Sequence, residues 1–144
     1  MGKLKVAIGS DHAGYDYKEA IIEALEADGF EVENFGTYSN DSVDYPDYVH
    51  PVCQSIERGE KEFGILICGS ANGVCMTANK HSQIRAAIAW EKEIAELSRQ
   101  HNNANVICLP ARFVTLGEAL KMTEAFLRTE FEGGRHQRRV EKIA

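Results

Sequence analysis

The chain has 144 residues, of which 44% are hydrophobic and 26% charged, and its net charge is −6. This length and composition predict one globular domain over residues 1–144 with one sizeable core. No apolar stretch is long enough to cross a bilayer, and an acidic balance argues against a general nucleic-acid binder, so neither a membrane nor a nucleic-acid partner is expected. The N-terminus lacks a signal-peptide pattern, which favours a cytoplasmic location.

Short apolar runs alternate with segments of helical periodicity along the chain. The runs predict five strands, at 4–8, 31–35, 63–68, 85–90 and 105–109. Helices are predicted at 17–29, 46–59, 73–81, 91–100 and 115–128, with a last basic helix near 134–143. This alternation predicts an α/β fold with a five-stranded parallel sheet and helices on both faces. Ligands of such sheets collect at the carboxyl ends of the strands, so the loops after the strands are the candidate site.

The loop CGSANG, at 68–73, follows the third predicted strand. Its small residues let backbone N–H groups turn toward an anion, and the start of a following helix favours the thiolate form of a cysteine. The loop matches neither the Walker A nor the GxGxxG pattern. Cys68 is therefore either a buried cysteine in a tight turn or a reactive thiol at an anion site. Cys75, just inside the next helix, is a minor rival.

Three other polar stretches have both a structural and a functional interpretation. Asp11 and His12 in GSDHAG either face the ligand crevice or include a cap for the next helix. His101 in RQHNNANV is suited to a helix C-terminus and also to proton transfer or sugar binding. Arg135 and Arg139 in RHQRR would share one helix face, as a solvated surface or as a phosphate clamp.

The remaining notable residues predict structure only. The four cysteines, Cys53, Cys68, Cys75 and Cys108, lack CxxC spacing, so disulfides and zinc are not expected. Cys53 and Cys108 are predicted in the core, and Trp90 is expected to pack at the end of the fourth strand.

Six stretches together resemble the ribose-5-phosphate isomerase B family of sugar-phosphate isomerases. They are, in chain order, IGSDHAGY, DYPDY, GILICGSANG, ANK, RQHNNANV and GGRHQRRV, and the resemblance extends from Val6 to Val140. It implies a three-layer Rossmann-like (flavodoxin-like) sheet and interconversion of D-ribose 5-phosphate and D-ribulose 5-phosphate. It also implies no metal or other cofactor, and a homodimer or dimer of dimers whose active sites are shared between subunits.

The resemblance implies roles for individual residues. Cys68 matches the base that takes the proton from C2 of the opened sugar, since Val74 stands where a second branch has a glutamate. His101 matches the acid and base that opens the sugar ring. Substrate-binding positions are matched by Asp11, His12, Tyr45, Gly69, Ala71, Asn72, Gly73, Asn102, Arg112, Arg135 and Arg139, of which His12 and the three arginines bind phosphate. Ala71 replaces the usual glycine and narrows the allowed backbone angles of the loop.

The chemistry of such an isomerase requires a base and a site for the charge of an enediolate. Cys68 would be the base, and the amides from Gly69 to Gly73, with Ser70, would stabilise the oxyanion. The alternatives are a hexose 6-phosphate isomerase of the galactose or allose type, or a non-catalytic module that binds a phosphosugar or nucleotide. Because Cys68, His101 and the arginines occur in one chain, the pentose phosphate is favoured.

Overall fold

The computed structural model describes residues 3–143. Its strands are β1 (Lys5–Ser10), β2 (Glu31–Asn34), β3 (Phe63–Cys68), β4 (Ala86–Ile88) and β5 (Val106–Pro110). Its helices are α1 (Tyr15–Ala27), α2 (Pro46–Glu57), α3 (Asn72–Ala78), α4 (Lys92–Gln100), α5 (Leu116–Arg128) and α6 (Arg135–Glu141), and one 3-10 turn, His12–Gly14, precedes α1. Every helix in this part of the chain is too short or too polar to span a bilayer.

The five strands form one sheet in the order β2-β1-β3-β5-β4, and every neighbouring pair is parallel. The predicted fold class is therefore confirmed. The strand shortened most is β4, which covers Ala86–Ile88 where six residues were predicted, and α3 ends at Ala78, three residues before its predicted end. The expectation for Trp90 is wrong, because this side chain lies beyond the short edge strand and is 52% exposed.

The core has two layers, one on each face of the sheet. Alternate residues of β3 point to opposite faces, so Ile65 and Ile67 pack with α1, α4 and α5, whereas Leu66 and Cys68 pack with α2 and α3. Cys68 therefore ends its strand on the side of the sheet that is covered by α2 and α3.

Ala71 adopts a backbone conformation that is unusual for a residue with a side chain. Its φ is 68° and its ψ is −5°, in the left-handed region, directly before α3. The residue is fully buried and belongs to the layer beneath α2 and α3. The methyl group of Ala71 thus lies in the core, and its cost is backbone strain.

This strain can be measured by comparing Ala71→Gly with Ala78→Gly. Both substitutions remove a fully buried methyl from the same short segment, but Ala78 is helical. Glycine relieves a left-handed strain of about 1–2 kcal/mol at position 71, whereas in a helix it costs roughly 0.5–1 kcal/mol. In urea titrations, we expect the free energy of unfolding of Ala71→Gly to exceed that of Ala78→Gly by about 1.5–3 kcal/mol, the sum of these two effects. Equal losses in the two variants would contradict the strain at Ala71.

Candidate active site

A cavity of ≈ 400 Å³ opens at the carboxyl ends of β1 and β3. Its walls are formed by Asp11, His12, Ala13, Tyr45, Cys68, Gly69, Ser70, Arg112 and Phe113. Cys68 is 5% exposed and lies between this cavity and the core layer beneath it. The two interpretations of Cys68 are thus compatible, since the residue is packed in the core and also borders an open cavity.

Asp11 shapes the first loop of the cavity. One oxygen of its carboxylate, Oδ1, accepts hydrogen bonds from the amides of Ala13 at 3.0 Å and Gly14 at 3.2 Å. Gly14 lies directly on β3, because a Cβ there would be 2.6 Å from the carbonyl oxygen of Ile67. Asp11 therefore caps the 3-10 turn and at the same time borders the cavity close to the end of β3.

His12 is oriented by the loop that follows β2. The amide of Val43 donates to Nδ1 of His12 at 3.2 Å. A neutral imidazole whose Nδ1 accepts carries its proton on Nε2. Nε2 of His12 is therefore a hydrogen-bond donor, which is the property required to bind an oxyanion.

Arg112 and Ser70 border the cavity from the two central strands. The amide of Arg112 donates to the carbonyl of Gly69 at 3.1 Å, and a Cβ on Gly69 would lie 3.2–3.3 Å from Cδ and Nη1 of Arg112. The guanidinium thus reaches over Gly69. Ser70 Oγ accepts from the amide of Asn72 at 3.3 Å, so its own hydrogen is left to donate to a ligand.

The rest of the glycine-rich loop is placed differently from Gly69 and Ser70. Ala71 is in the core, Asn72 is exposed, and its amide is already bonded to Ser70. A Cβ on Gly73 would be 2.5 Å from the ring of Tyr45, so only a glycine lets this ring approach the loop. These three residues of the predicted set do not line the cavity, and Gly73 acts by seating Tyr45.

The other three cysteines lie outside the cavity walls. Cys53 and Cys108 are fully buried, as predicted, and burial raises the pKa of Cys53 to about 12, with a further contribution from Glu57. Burial also raises the pKa of Cys108. Cys75 is half-buried, and its Sγ contacts the carbonyl of Ala86 at 3.5 Å. Cys68 is thus the cysteine that a ligand in this cavity can reach.

Four predicted site residues, His101, Asn102, Arg135 and Arg139, are absent from the cavity walls. His101 follows α4 and precedes β5, so it lies at the amino end of the strands. Gly64 lies near the amino end of β3 and Cys68 at its carboxyl end. These two residues are about 13 Å apart, because a strand advances by roughly 3.3 Å per residue. Asn102 instead borders a second cavity, of ≈ 560 Å³, beside Arg85 and His81. One chain does not bring the two groups of residues together.

These four residues share one substructure, the C-terminal arm, which consists of residues 99–105 and 129–141. Buried Arg99 ties its two segments together, because its guanidinium donates to the carbonyls of Ala104 at 2.7 Å and Thr129 at 3.0 Å. It also donates to Oδ1 of Asn103 at 2.8 Å, which holds the left-handed turn at that residue. The amide of Glu132 donates to the carbonyl of Gln100 at 3.1 Å.

Sequence reasoning missed His136, Glu132 and Arg99. The ring of His136 stacks on His101 with centroids 4.2 Å apart, and the Glu132 carboxylate lies between their Nε2 atoms. Only the histidine inside RHQRR could have drawn notice, one position off the face that Arg135 and Arg139 share. Arg99 and Glu132 carry no local signal, because their contacts join segments that are distant in sequence.

His101, Glu132 and His136 are also the described residues whose grouping could hold a metal ion. One ligand atom from each lies within 4.8 Å of the others. However, burial lowers the pKa of His136, and the positive charges of its neighbours, among them His101, Arg135 and Arg139, lower it further. This positive surrounding disfavours a divalent cation and favours an anion.

Comparison with known proteins gives a consistent result. The sequence model of the Ribose/Galactose Isomerase family matches residues 6–143. A probable ribose-5-phosphate isomerase B of Mycoplasma genitalium is 46% identical over 142 residues, covering 97% of this chain and 93% of that protein. The crystal structure of a ribose 5-phosphate isomerase from Thermotoga maritima is 48% identical, with a TM-score of 0.95 and 97% of each chain covered. A structure of ribose-5-phosphate isomerase B from Mycoplasma genitalium with bound ribulose-5-phosphate is 44% identical, with a TM-score of 0.94 and coverage of 99% of this chain and 95% of that one.

The resemblance in the sequence is therefore confirmed over nearly the whole chain. With a family match across residues 6–143 and relatives of this identity, the chain belongs to the Ribose/Galactose Isomerase family.

Proposed function

We propose that the protein interconverts D-ribose 5-phosphate and D-ribulose 5-phosphate through an enediolate, with Cys68 as the base. The observation that carries this proposal is the cavity in which Cys68 meets two anion-binding side chains, His12 and Arg112. Relatives named as ribose-5-phosphate isomerases, one of them with bound ribulose-5-phosphate, support the choice of substrate.

The reaction moves a carbonyl group between neighbouring carbons of the open sugar. The Cys68 thiolate removes the proton from C2, and the electron pair forms the C1–C2 double bond of the enediolate. The proton returns to C1, and the O2–H proton is transferred to O1, so that a ketone remains at C2. Ser70 is placed to donate its hydroxyl hydrogen to the developing oxyanion, because its Oγ already accepts from Asn72.

The phosphate group of the substrate is bound at a distance from the reacting carbons and orients the sugar. Nε2–H of His12 and the guanidinium of Arg112 are donors suited to its oxygens. Binding energy at this remote end orients C1 and C2 beside Cys68, which converts affinity into rate.

A second copy of the chain completes the site in this proposal. Cys68 lies at the carboxyl end of the sheet, whereas His101, Arg135 and Arg139 lie on the C-terminal arm. The arm of one protomer then reaches the Cys68 cavity of its partner, which requires at least a homodimer. His101 opens the sugar ring there, and the two arginines add to the phosphate contacts.

Replacement of Cys68 tests the base directly. We expect Cys68→Ala to lower the turnover of ribose 5-phosphate by about 10²–10⁴-fold, the usual contribution of a general base. Exchange of the C1 hydrogen of ribulose 5-phosphate with deuterium from solvent, followed by NMR, should fall equally. Cys75→Ala is the matched control, because it removes a thiol that lies outside the cavity, and it should retain near-normal turnover. Full activity of Cys68→Ala would contradict the assigned role, and faster turnover of a six-carbon sugar phosphate by wild type would favour the hexose alternative.

A mixing experiment tests whether sites are shared. One inactive parent carries Cys68→Ala, and the other carries His101→Asn together with Arg135→Ala. After subunit exchange in equal amounts, half of the dimers are mixed, and each mixed dimer contains one intact site. The mixture should therefore regain about a quarter of wild-type activity per subunit. A mixture that stays as inactive as its parents, although light scattering and mass spectrometry show mixed dimers, would contradict a shared site.

A further inference from the structure

The strongest unassigned contact is the stack of two histidines on the C-terminal arm. The rings of His101 and His136 are 4.2 Å apart between centroids, and their planes differ by 13°. His136 is 8% exposed, although its neighbours on α6, Arg135, Gln137 and Arg138, are all exposed. His136 is thus the buried side chain of α6, and it packs against the residue to which the proposed function gives the proton transfer.

Glu132 completes this contact. Its Oε1 lies 3.5 Å from Nε2 of His136 and 3.8 Å from Nε2 of His101. The backbone of Glu132 is held by the carbonyl of Gln100, next to His101 in sequence. One carboxylate oxygen therefore faces both rings and is anchored beside them.

The ring of His136 is suited to act as a support for the His101 ring. It is buried and lies almost parallel to the His101 ring, whose side chain is 41% exposed. Without such a surface, an imidazole at a helix end samples several rotamers.

We propose that His136 is a positioning residue that, with Glu132, holds the His101 imidazole in the orientation needed for ring opening. This inference rests on the proposed function. In ring opening, the C1–O4 bond of the furanose breaks, and His101 takes the proton from O1 as a base and returns it to O4 as an acid, which leaves a C1 aldehyde and a C4 hydroxyl. Each transfer requires heavy atoms within about 2.6–3.2 Å, so a freely rotating ring is a poor catalyst.

Two substitutions separate stacking from simple bulk. His136→Phe keeps a flat aromatic ring, whereas His136→Leu keeps an apolar side chain without one. We expect His136→Leu to lower kcat for ribose 5-phosphate at least tenfold with little change in KM, since a small misplacement of a catalytic group has effects of this order or larger. His136→Phe should restore most of that loss, and Gln137→Leu, an exposed neighbour on α6, should match wild type.

Hydrogen exchange in ribulose 5-phosphate separates a positioning role from a general structural role, because a general structural defect would lower this exchange as well. This ketose has its O5 blocked by phosphate and is open-chain, so exchange of its C1 hydrogen with solvent needs Cys68 but no ring opening. His136→Leu should retain this exchange at close to the wild-type rate while it loses turnover of ribose 5-phosphate. Glu132→Gln, a change at an exposed side chain, should lower the same turnover severalfold and spare exchange.

Several outcomes would overturn the inference. A His136→Leu protein with wild-type turnover shows that the stack does not matter, and one with a raised KM and an equal loss of exchange shows that His136 only anchors α6. If His136→Leu does not fold, a Glu132→Gln protein with unchanged turnover is the deciding negative result. Wild-type protein that neither turns over ribose 5-phosphate nor exchanges the ketose hydrogen refutes the proposed function itself, which is a separate failure.

Discussion

The pairing of β3 with β5 holds the candidate site together at the middle of the sheet. At the end of β3 the carbonyl of Cys68 accepts from the amide of Ala111 at 2.9 Å, and just beyond both strands the carbonyl of Gly69 accepts from the amide of Arg112 at 3.1 Å. The strand ladder thus continues into the loops, so the thiol and the guanidinium are positioned by backbone hydrogen bonds. Because both groups depend on the most central pairing of the sheet, the distance between them is insensitive to motion at the edges.

The same parallel arrangement separates the C-terminal arm from Cys68. In a parallel sheet the carboxyl ends of all strands lie on the same side, and each connecting helix brings the chain back to the side of the amino ends. His101 directly follows α4, so it lies on the side of the amino ends, opposite the loops that follow the strands. This separation within one chain is the topological support for the proposal that two chains share the site.

The fold and the position of Cys68 could be predicted from the sequence, because they depend on local patterns. Apolar runs of strand length and the rule for carboxyl ends predict Cys68, Gly69 and Ser70 at the cavity without knowledge of distant contacts. The direction of the Ala71 methyl could not be predicted, since its left-handed φ and its burial depend on packing under α2 and α3. The length of β4 could not be predicted either, because an edge strand ends where its one neighbour stops pairing.

The C-terminal arm was still harder to predict. The sequence shows its two segments only as separate polar stretches. In the fold they are joined by Arg99, whose hydrogen bonds reach from the end of α4 to Thr129. No sequence periodicity marks Arg99. Within residues 3–143 its guanidinium is bonded to backbone carbonyls and to the side-chain amide of Asn103, so no carboxylate in the sequence could have predicted these contacts. Long-range polar contacts of this kind are found from coordinates.

The distribution of charge also supports the proposed division of the site between two chains. The protein carries a net charge of −6, so its overall field opposes the approach of a phosphate dianion, and local cations have to overcome it. In the Cys68 cavity, Arg112 is the arginine among the lining residues, and the carboxylate of Asp11 lies nearby with one oxygen engaged by two amides. Arg135 and Arg139 lie on the C-terminal arm. No carboxylate of the described residues forms a salt bridge with them, so their positive charges repel each other without compensation. In the proposed dimer, the arm of one chain would bring Arg135 and Arg139 to the cavity of the other. A phosphate bound there would relieve the repulsion between the arginines and so would stabilise the dimer that binds it.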